Sequence, residues 1–238
     1  MWLETELASC AKPGQFVGVF TKDKSKLLPR PISICEIDNE KNALRLVYRN
    51  NGEGTGTNEF STYEKGDKVE LLGVLGNGFP FEKAEGKKVF LMGGGIGVPP
   101  ILQLAKQIGD PDAQIIVGYR DSKTFLREDF EKYGRVYIAT EDGSVGSKGN
   151  VMNAISDNDL KCDVIYACGP MPMLRAIKKF AEEKCVPAYI SLEEHMACGV
   201  GACLGCVVKT KEVDHHSHVN NARICTDGPV FLASEVEI

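Results

Sequence analysis

The chain has 238 residues and a net charge of −5 with no long basic run, which excludes a typical nucleic-acid-binding surface. Its apolar share of 43% and charged share of 26% are those of a globular protein that can bury a core. The N-terminus lacks a signal-peptide pattern, the longest uncharged stretch is broken by glycines and prolines, and several of the nine cysteines are clustered, so we expect a cytoplasmic protein without a membrane span.

The first predicted segment, residues 1–85, consists of short β-rich runs separated by Gly, Pro, Asn and Asp turns. The runs are QFVGVF, RPISICEI, ALRLVYR and KVELLGVLG. Several short strands at this spacing are typical of an antiparallel barrel or sandwich. We therefore predict a β-barrel domain over residues 1–85.

Strands and helices alternate in the second predicted segment, residues 86–188. The strand KKVFLM leads through GGGIGVPP into the helix ILQLAKQIG, and the strand AQIIVGYR, the helix TFLREDFEKYG and the strand RVYIATED follow. The strand CDVIYACG and the helix PMLRAIKKFAEEK complete the series. This alternation predicts an α/β domain, built as a doubly wound parallel sheet with helices on both faces.

The third predicted segment, residues 189–238, carries a cysteine cluster and two short β-like runs, CVVKT and PVFLA. Cys198, Cys203 and Cys206 are spaced C-x4-C-x2-C, and Cys225 follows later in the segment. This is the plant-type spacing of [2Fe–2S] ligands, and the intervening glycines would let the backbone curl around a compact cluster. The alternative is a structural zinc site, although zinc sites usually pair two C-x2-C units and this segment has one.

A glycine-rich turn lies between the first strand and the first helix of the α/β segment. Its backbone amides could cradle a pyrophosphate, and its glycines are Gly93, Gly94, Gly95 and Gly97. The alternative is a plain tight turn, because Pro100 stands where the G-x-G-x-x-G motif has its last glycine.

Two further motifs each follow a predicted strand of the α/β segment, namely TEDGSVGSKG and the tripeptide Cys168-Gly169-Pro170. The carboxyl ends of the strands line the ligand crevice of a doubly wound sheet. We therefore predict that Gly169 and Pro170 contact a bound nicotinamide dinucleotide. Cys168 would lie at the crevice floor near the nicotinamide ring, as a candidate catalytic residue; the alternative is a buried thiol without a role.

The predicted nicotinamide site and the predicted [2Fe–2S] cluster would transfer different numbers of electrons at a time. A nicotinamide carries two electrons together as a hydride, whereas a [2Fe–2S] cluster accepts one electron at a time, so we expect a flavin, which can do both, in the β segment. Arg30 offers a charge for a pyrophosphate, Ser33 offers a hydroxyl, and Tyr48 with Arg49 offers an aromatic face and a second cation. The run GEGTGT, residues 52–57, offers amides and hydroxyls. Each could instead be an ordinary surface residue.

The order of these motifs resembles the ferredoxin–NADP reductase superfamily, in which a flavin barrel with RPIS precedes a nicotinamide lobe ending in CGPMPML. The run MACGVGACLGCVV with CTDGPVF resembles one branch of it, the electron-transfer subunits of type B dihydroorotate dehydrogenase. The resemblance implies FAD, a [2Fe–2S] cluster and NAD as cofactors. The residues that it implies for FAD are Arg30, Pro31, Ile32 and Ser33, then Val47, Tyr48 and Arg49, then Gly54 and Thr55. The cluster ligands that it implies are Cys198, Cys203, Cys206 and Cys225.

The branch also implies a function and a partner. Electrons from dihydroorotate oxidation would pass from the FMN of a catalytic partner subunit through the [2Fe–2S] cluster and FAD to NAD⁺, in pyrimidine (UMP) biosynthesis. The expected assembly is a heterotetramer with two copies of each chain. The alternatives are a subunit of a hydrogenase or of a ferredoxin-dependent NADP reductase, and a redox-sensing binding protein. Arg120 could also meet the 2′-phosphate of NADP.

Two further expectations concern the N-terminus and a histidine-rich loop. The family normally has a barrel strand ahead of the segment that Met1 begins, so we expect either a misassigned start or an incomplete barrel with an exposed edge. We expect His215, His216 and His218 to lie in a solvated surface loop, with a metal role as the alternative.

Overall fold

The computed structural model describes residues 1–213 and 218–238. The strands are β1 (Trp2–Glu4), β2 (Phe16–Val19), β3 (Arg30–Asp38), β4 (Ala43–Leu46), β5 (Leu71–Leu75), β6 (Val89–Gly94), β7 (Gln114–Tyr119), β8 (Arg135–Thr140), β9 (Ser147–Lys148), β10 (Val164–Cys168), β11 (Ala188–Ser191), β12 (Val207–Lys209), β13 (Asn221–Arg223) and β14 (Val230–Leu232). The helices are α1 (Gly56–Phe60), α2 (Val98–Ile108), α3 (Arg127–Phe130), α4 (Val151–Asp157) and α5 (Met171–Lys184). His215 and His216 lie outside the described residues, whereas His218 is exposed.

The first sheet is an antiparallel half-barrel with the strand order β1-β4-β3-β2-β5. Its strands β2 to β5 coincide with the four β-rich runs of the first segment, β3 extending one residue further to Asp38, which confirms the predicted antiparallel architecture. Alternate side chains bury one face of the sheet, and the fully buried ones include Val17, Val19, Ile34, Leu44 and Leu46. Strands β1 and β5 form its two edges.

The second sheet has the strand order β14-β11-β10-β6-β7-β8-β9. All of its neighbouring strands are parallel except β14, which runs antiparallel to β11. Helix α2 covers one face and helices α4 and α5 cover the other, so β6 and β10 are buried along their whole length. This confirms the predicted doubly wound α/β architecture. Because β14 comes from the third predicted segment, that segment supplies an edge strand to the sheet.

Helix α3 is shorter than the helix that the run TFLREDFEKYG predicts. Leu126, just ahead of α3, has a left-handed backbone with φ of 64°, and the Tyr119 hydroxyl donates to the Phe125 carbonyl at 2.7 Å. A left-handed residue cannot continue a right-handed helix. The turn held by Tyr119 therefore delays the start of the helix to Arg127.

Within the described residues, none of the helices combines the length and the apolar composition that a bilayer crossing needs. The longest of them, α5, has 14 residues. A membrane-spanning helix needs about 20 mostly apolar residues.

Polar contacts fasten the two sheets to each other. The buried Gln103 of α2 accepts a hydrogen bond from the Ile37 backbone N–H of β3, with an Oε1–N distance of 2.7 Å. Arg45 of β4 pairs with Glu36 at 2.6 Å and with Asp129 of α3 at 3.2 Å. These bonds fix the half-barrel against α2 and α3, which is a precondition for any site between the two sheets.

We expect Gln103→Met to destabilise the fold, because it leaves the buried Ile37 N–H without a partner at nearly constant side-chain volume. The loss in the free energy of unfolding should be about 1–3 kcal/mol, measured by urea titration. Gln114→Met is the matched control, because the Gln114 amide donates to the Lys161 carbonyl at the surface. Equal losses in the two variants would contradict the assigned role of Gln103.

Candidate functional site

A cavity of about 460 Å³ lies between the half-barrel, the glycine-rich turn and the chain that follows β11. Two of the three residue groups that the resemblance implies for FAD line it. The lining members of these groups are Arg30, Pro31, Ile32, Ser33, Val47, Tyr48 and Arg49. The third group, Gly54 and Thr55, lies beside the cavity, where Thr55 caps α1 and Thr57 of that helix reaches the lining. The folding of β3 and β4 therefore brings the implied residues to one place.

Arg30 begins β3 and packs against the start of α1. Its Nη1 donates to the carbonyls of Lys26 and Leu28, so the guanidinium is oriented by the preceding loop. Gly56 lies directly beneath it, and a Cβ at Gly56 would collide with the guanidinium. This cradle presents a permanent positive charge at the cavity, which fits a diphosphate.

Apolar and aromatic side chains complete the cavity wall. Tyr48 packs edge-on against the buried Phe60 with ring centroids 5.7 Å apart. Phe16 and Ile32 add apolar surface. A planar ring bordered by Tyr48 and the Ser33 hydroxyl would find both a stacking partner and a polar contact, so the residues present fit a flavin.

The sequence analysis missed the opposite wall of the cavity, which is formed by residues 191–196. Glu193 lies in this wall with an exposed side chain, and partial desolvation by the wall raises the pKa of its carboxyl, an effect that the nearby Arg49 partly offsets. A signal was available, because the run AYIS continues the strand–helix alternation after α5. The residues after a parallel strand face the ligand crevice, and Glu193 is one of them.

The glycine-rich turn packs closely against the loop that follows β10. A Cβ at Gly97 would collide with the Cys168 carbonyl, and a Cβ at Gly94 would meet Pro170 at 3.1 Å and also crowd Met173. Gly95 has φ of 55°, which favours glycine. Packing alone therefore explains Gly94 and Gly97, as well as Gly169, whose Cβ would lie 2.9 Å from Met173 Sδ. Dinucleotide binding by the predicted residues of these two loops stays a prediction.

Cys168 lies at the end of β10, beside Gly93 of β6, and its side chain is fully buried. Burial raises the pKa of its thiol well above the usual range, and a hydrogen bond from Ser191 opposes that shift only in part. The group is therefore a neutral thiol. Its predicted place at the floor of a nicotinamide crevice and its catalytic role both stay predictions.

The four predicted cluster ligands converge in the third segment. Cys203 is exposed, Cys198 is half-buried, and Cys206 and Cys225 are buried. The side chain of Cys198 interacts with that of Cys203, and the side chain of Cys225 with that of Cys206. Across the described ranges, no three His, Cys, Asp or Glu side chains form a group that could hold a single metal ion. Two neighbouring pairs of thiols suit a cluster with two irons, as the cysteine spacing predicts.

Backbone N–H groups point at two of these sulfurs. Cys198 Sγ accepts from Val200 at 3.5 Å and from Cys203 at 3.4 Å, and Cys225 Sγ accepts from Gly201 at 3.2 Å. The donors on Cys198, first that of Val200, lower the pKa of its thiol to about 6. Positive φ angles at Gly199 and Gly201, 70° and 79°, turn the chain so that these amides face inward. The segment is thus shaped to hold thiolates, as the sequence predicts.

Comparison with known proteins agrees with this geometry. The family described as the iron–sulfur cluster binding domain of dihydroorotate dehydrogenase B matches residues 193–237. A solved NADH-dependent reduced ferredoxin–NADP oxidoreductase is 26% identical, with a TM-score of 0.83 over 99% of this chain and 83% of the other. A flavohemoglobin from Malassezia yamatoensis shares the fold alone, at 20% identity and a TM-score of 0.59 over 74% of this chain and 49% of the other. The fold is thus that of a ferredoxin–NADP reductase-type oxidoreductase.

Relatives in sequence narrow this class. Dihydroorotate dehydrogenase B (NAD(+)), electron transfer subunit, of Geobacillus sp. (strain WCH70) is 43% identical over 229 residues, 94% of this chain and 86% of the relative. The proteins of the same name from Bacillus caldolyticus and Bacillus cereus (strain B4264) are 43% and 44% identical, with the same shares of each chain covered. The chain belongs to the family of dihydroorotate dehydrogenase B electron transfer subunits.

We expect Gly56→Ala to weaken flavin binding by displacing the Arg30 guanidinium, although alanine is itself favourable in a helix.

We expect Arg30→Ala to weaken flavin binding about 10- to 150-fold, because it removes a charged contact of about 1.5–3 kcal/mol. Both variants are measured by flavin retention on dilution.

The double variant tests the link between the two positions. If Gly56 acts through Arg30, combining the substitutions should cost no more than Arg30→Ala alone. Additive losses would contradict that link.

Proposed function

We propose that this chain is the electron-transfer subunit of an NAD⁺-dependent type B dihydroorotate dehydrogenase. It receives electrons that a partner subunit takes from dihydroorotate and delivers them to NAD⁺, in pyrimidine biosynthesis. The observation that carries the proposal is the continuity of the two sites. Residues 191–196 line the flavin cavity, and Cys198 of the thiol cluster follows two residues later.

The cofactors supply the redox chemistry: a bound FAD accepts a hydride from, or donates one to, a nicotinamide, and a [2Fe–2S] cluster carries single electrons. The chain supplies binding and orientation. Arg30 provides charge for the FAD diphosphate, Tyr48 and Ser33 border the ring, and the turn at Gly95 faces the nucleotide crevice. Cys198, Cys203, Cys206 and Cys225 are the proposed iron ligands.

The partner that the proposal requires is a catalytic subunit with FMN and a dihydroorotate site. The names of the relatives support it, because each is called an electron transfer subunit. We propose an assembly with two copies of each chain. The nine cysteines all lie within the described residues and form no disulfide, which supports the cytoplasm as the compartment.

A second candidate is a subunit that exchanges electrons between a nicotinamide and ferredoxin. The structural neighbour named as a ferredoxin–NADP oxidoreductase favours it, with 99% of this chain aligned. Its identity of 26% is well below the 43% of the dihydroorotate dehydrogenase relatives. The two candidates differ in the electron donor, so the donor that supports NAD⁺ reduction decides between them.

We expect the anaerobically purified chain to contain FAD, iron and sulfide, and Cys203→Ser to lose the iron and sulfide while keeping FAD. Cys203 is exposed and lies outside the flavin cavity, so its replacement should spare the fold. Metal analysis and flavin absorption are the measurements. Cys185→Ser, at another exposed cysteine, is the control and should keep both groups. Zinc without iron in the parent chain would overturn the cluster assignment.

We expect division of labour between two subunits. Alone, the chain should oxidise NADH with a dye as acceptor but should not oxidise dihydroorotate. Mixed with an FMN-containing dihydroorotate dehydrogenase subunit, it should support NAD⁺ reduction by dihydroorotate, followed by absorbance of NADH. Dihydroorotate oxidation by this chain alone, or coupling only to reduced ferredoxin, would refute the subunit assignment.

A further inference from the structure

Asn77 makes contacts that join the half-barrel to the segment that carries the cysteine cluster. Asn77 follows β5, and its backbone N–H donates to the Gly228 carbonyl while its side-chain Nδ2 donates to the Asp227 carbonyl at 2.8 Å. Asn77 also forms a parallel bridge with Pro229. These contacts connect residues that are 150 positions apart in the sequence.

One side of this contact belongs to the wall of the flavin cavity. Phe16 and Pro229 both line the cavity, and both lie against Gly76. A Cβ at Gly76 would lie 2.5 Å from Pro229 Cδ, 2.7 Å from the Gly228 carbonyl oxygen and 3.0 Å from Phe16. Gln15 holds Gly76 in turn, since its Nε2 donates to the Gly76 carbonyl at 2.7 Å. Gly76, at the end of β5, is thus packed against Phe16, Pro229 and Gln15.

The other side belongs to the turn that carries Cys225. The Asp227 carboxylate accepts from Arg223 Nε at 3.0 Å, from Arg223 Nη2 at 3.1 Å and from the Arg223 backbone N–H at 2.8 Å. The backbone N–H groups of Thr226, Asp227 and Gly228 all donate to the Arg223 carbonyl. These hydrogen bonds close the turn on both sides of the buried Cys225. A displacement of Asp227 would therefore also displace Cys225.

Strand β5 also supports the first loop of the thiol cluster. A Cβ at Gly199 would lie 3.3 Å from Leu75 and 3.4 Å from Leu72. Both halves of the cluster segment therefore rest on β5 or the residues just after it. Asn77 therefore lies where it can hold the turn that carries Cys225 at a fixed distance from the cavity wall.

We propose that Asn77 is a positioning residue whose amide clamps the turn of Asp227 and Gly228 to the half-barrel, and so sets the separation between the flavin cavity and Cys225. The inference rests on the proposed function, in which those two sites hold FAD and a [2Fe–2S] cluster. Electron transfer slows steeply with the distance between redox centres, so a looser clamp slows the exchange between them.

The test compares Asn77→Asp with Gln114→Glu in the holo chain. Both substitutions remove a surface amide donor to a backbone carbonyl and add one negative charge, but Gln114 lies at the far junction with Lys161. The first readout is the anaerobic rate at which bathophenanthroline disulfonate removes iron, with flavin absorption followed in parallel. We expect iron loss to be about 2- to 10-fold faster in Asn77→Asp, and unchanged in Gln114→Glu.

The second readout is the ratio of the rate of cluster reduction to the rate of flavin reduction after NADH is mixed with the chain. NADH supplies two electrons as a hydride, and the cluster takes one of them. The ratio should fall in Asn77→Asp and recover in Asn77→Gln, which keeps an amide donor. Gly76→Ala, which displaces Pro229, should lower the ratio further if it folds.

The outcomes separate this proposal from the one on which it rests. A parent chain without iron, sulfide or flavin would overturn the proposed function, and the clamp with it. A parent chain that holds all of them, with equal iron loss and equal ratios in Asn77→Asp and Gln114→Glu, would overturn the clamp alone. Failure of Asn77→Gln to restore the ratio would also overturn it, because the amide would then have only a general structural role.

Discussion

The antiparallel pairing of β14 with β11 is the constraint on which the candidate site depends. It places Tyr189 opposite Leu232, Ile190 opposite Phe231 and Ser191 opposite Val230. Strand β11 runs directly into residues 191–196 of the cavity wall, and β14 is preceded by the turn that carries Cys225. One short strand pair therefore brings both ends of the cysteine segment to the edge of the parallel sheet. A slip of one residue would reverse the faces of the paired side chains and carry Cys225 away from its partners.

Much of the fold could be predicted from the sequence because most of its elements are long or strongly patterned. Strands β6 and β10 are apolar runs that end at glycines, β7 has an apolar core at residues 115–117, and α5 has a clear helical period. Strand β14 lies within the predicted β-like run PVFLA, but its pairing with β11 is decided by tertiary contacts. Strands β1 and β13 have three residues each, too few for a period to be recognised. The shortened α3 reflects the same limit, because the Tyr119 hydrogen bond that delays it is not visible in the local sequence.

The candidate site shows a similar division. The spacing of the cysteines follows from the geometry of a compact cluster, so the sequence alone points to it, and the cavity unites residues 30–33 with residues 47–49 as the resemblance implies. Glycines are harder to interpret from sequence. Gly56 and Gly97 are small because a guanidinium and a carbonyl press against them, whereas Gly201 is needed for its positive φ. These reasons are indistinguishable without the fold, so a glycine-rich run cannot by itself be assigned to phosphate binding.

The charges of the site differ from those of the whole chain, whose net charge is −5. The cavity presents two guanidiniums, those of Arg30 and Arg49. Glu193 offsets them while it is ionised, and desolvation in the cavity wall raises the pKa of its carboxyl against the opposing effect of Arg49. At the cysteine cluster, backbone N–H groups stabilise the thiolate of Cys198. The chain therefore meets the negative charge of a diphosphate with side chains and that of thiolates with its backbone. The first depends on residue identity and the second on glycine conformations, which is why the net charge gives no indication of what either site binds.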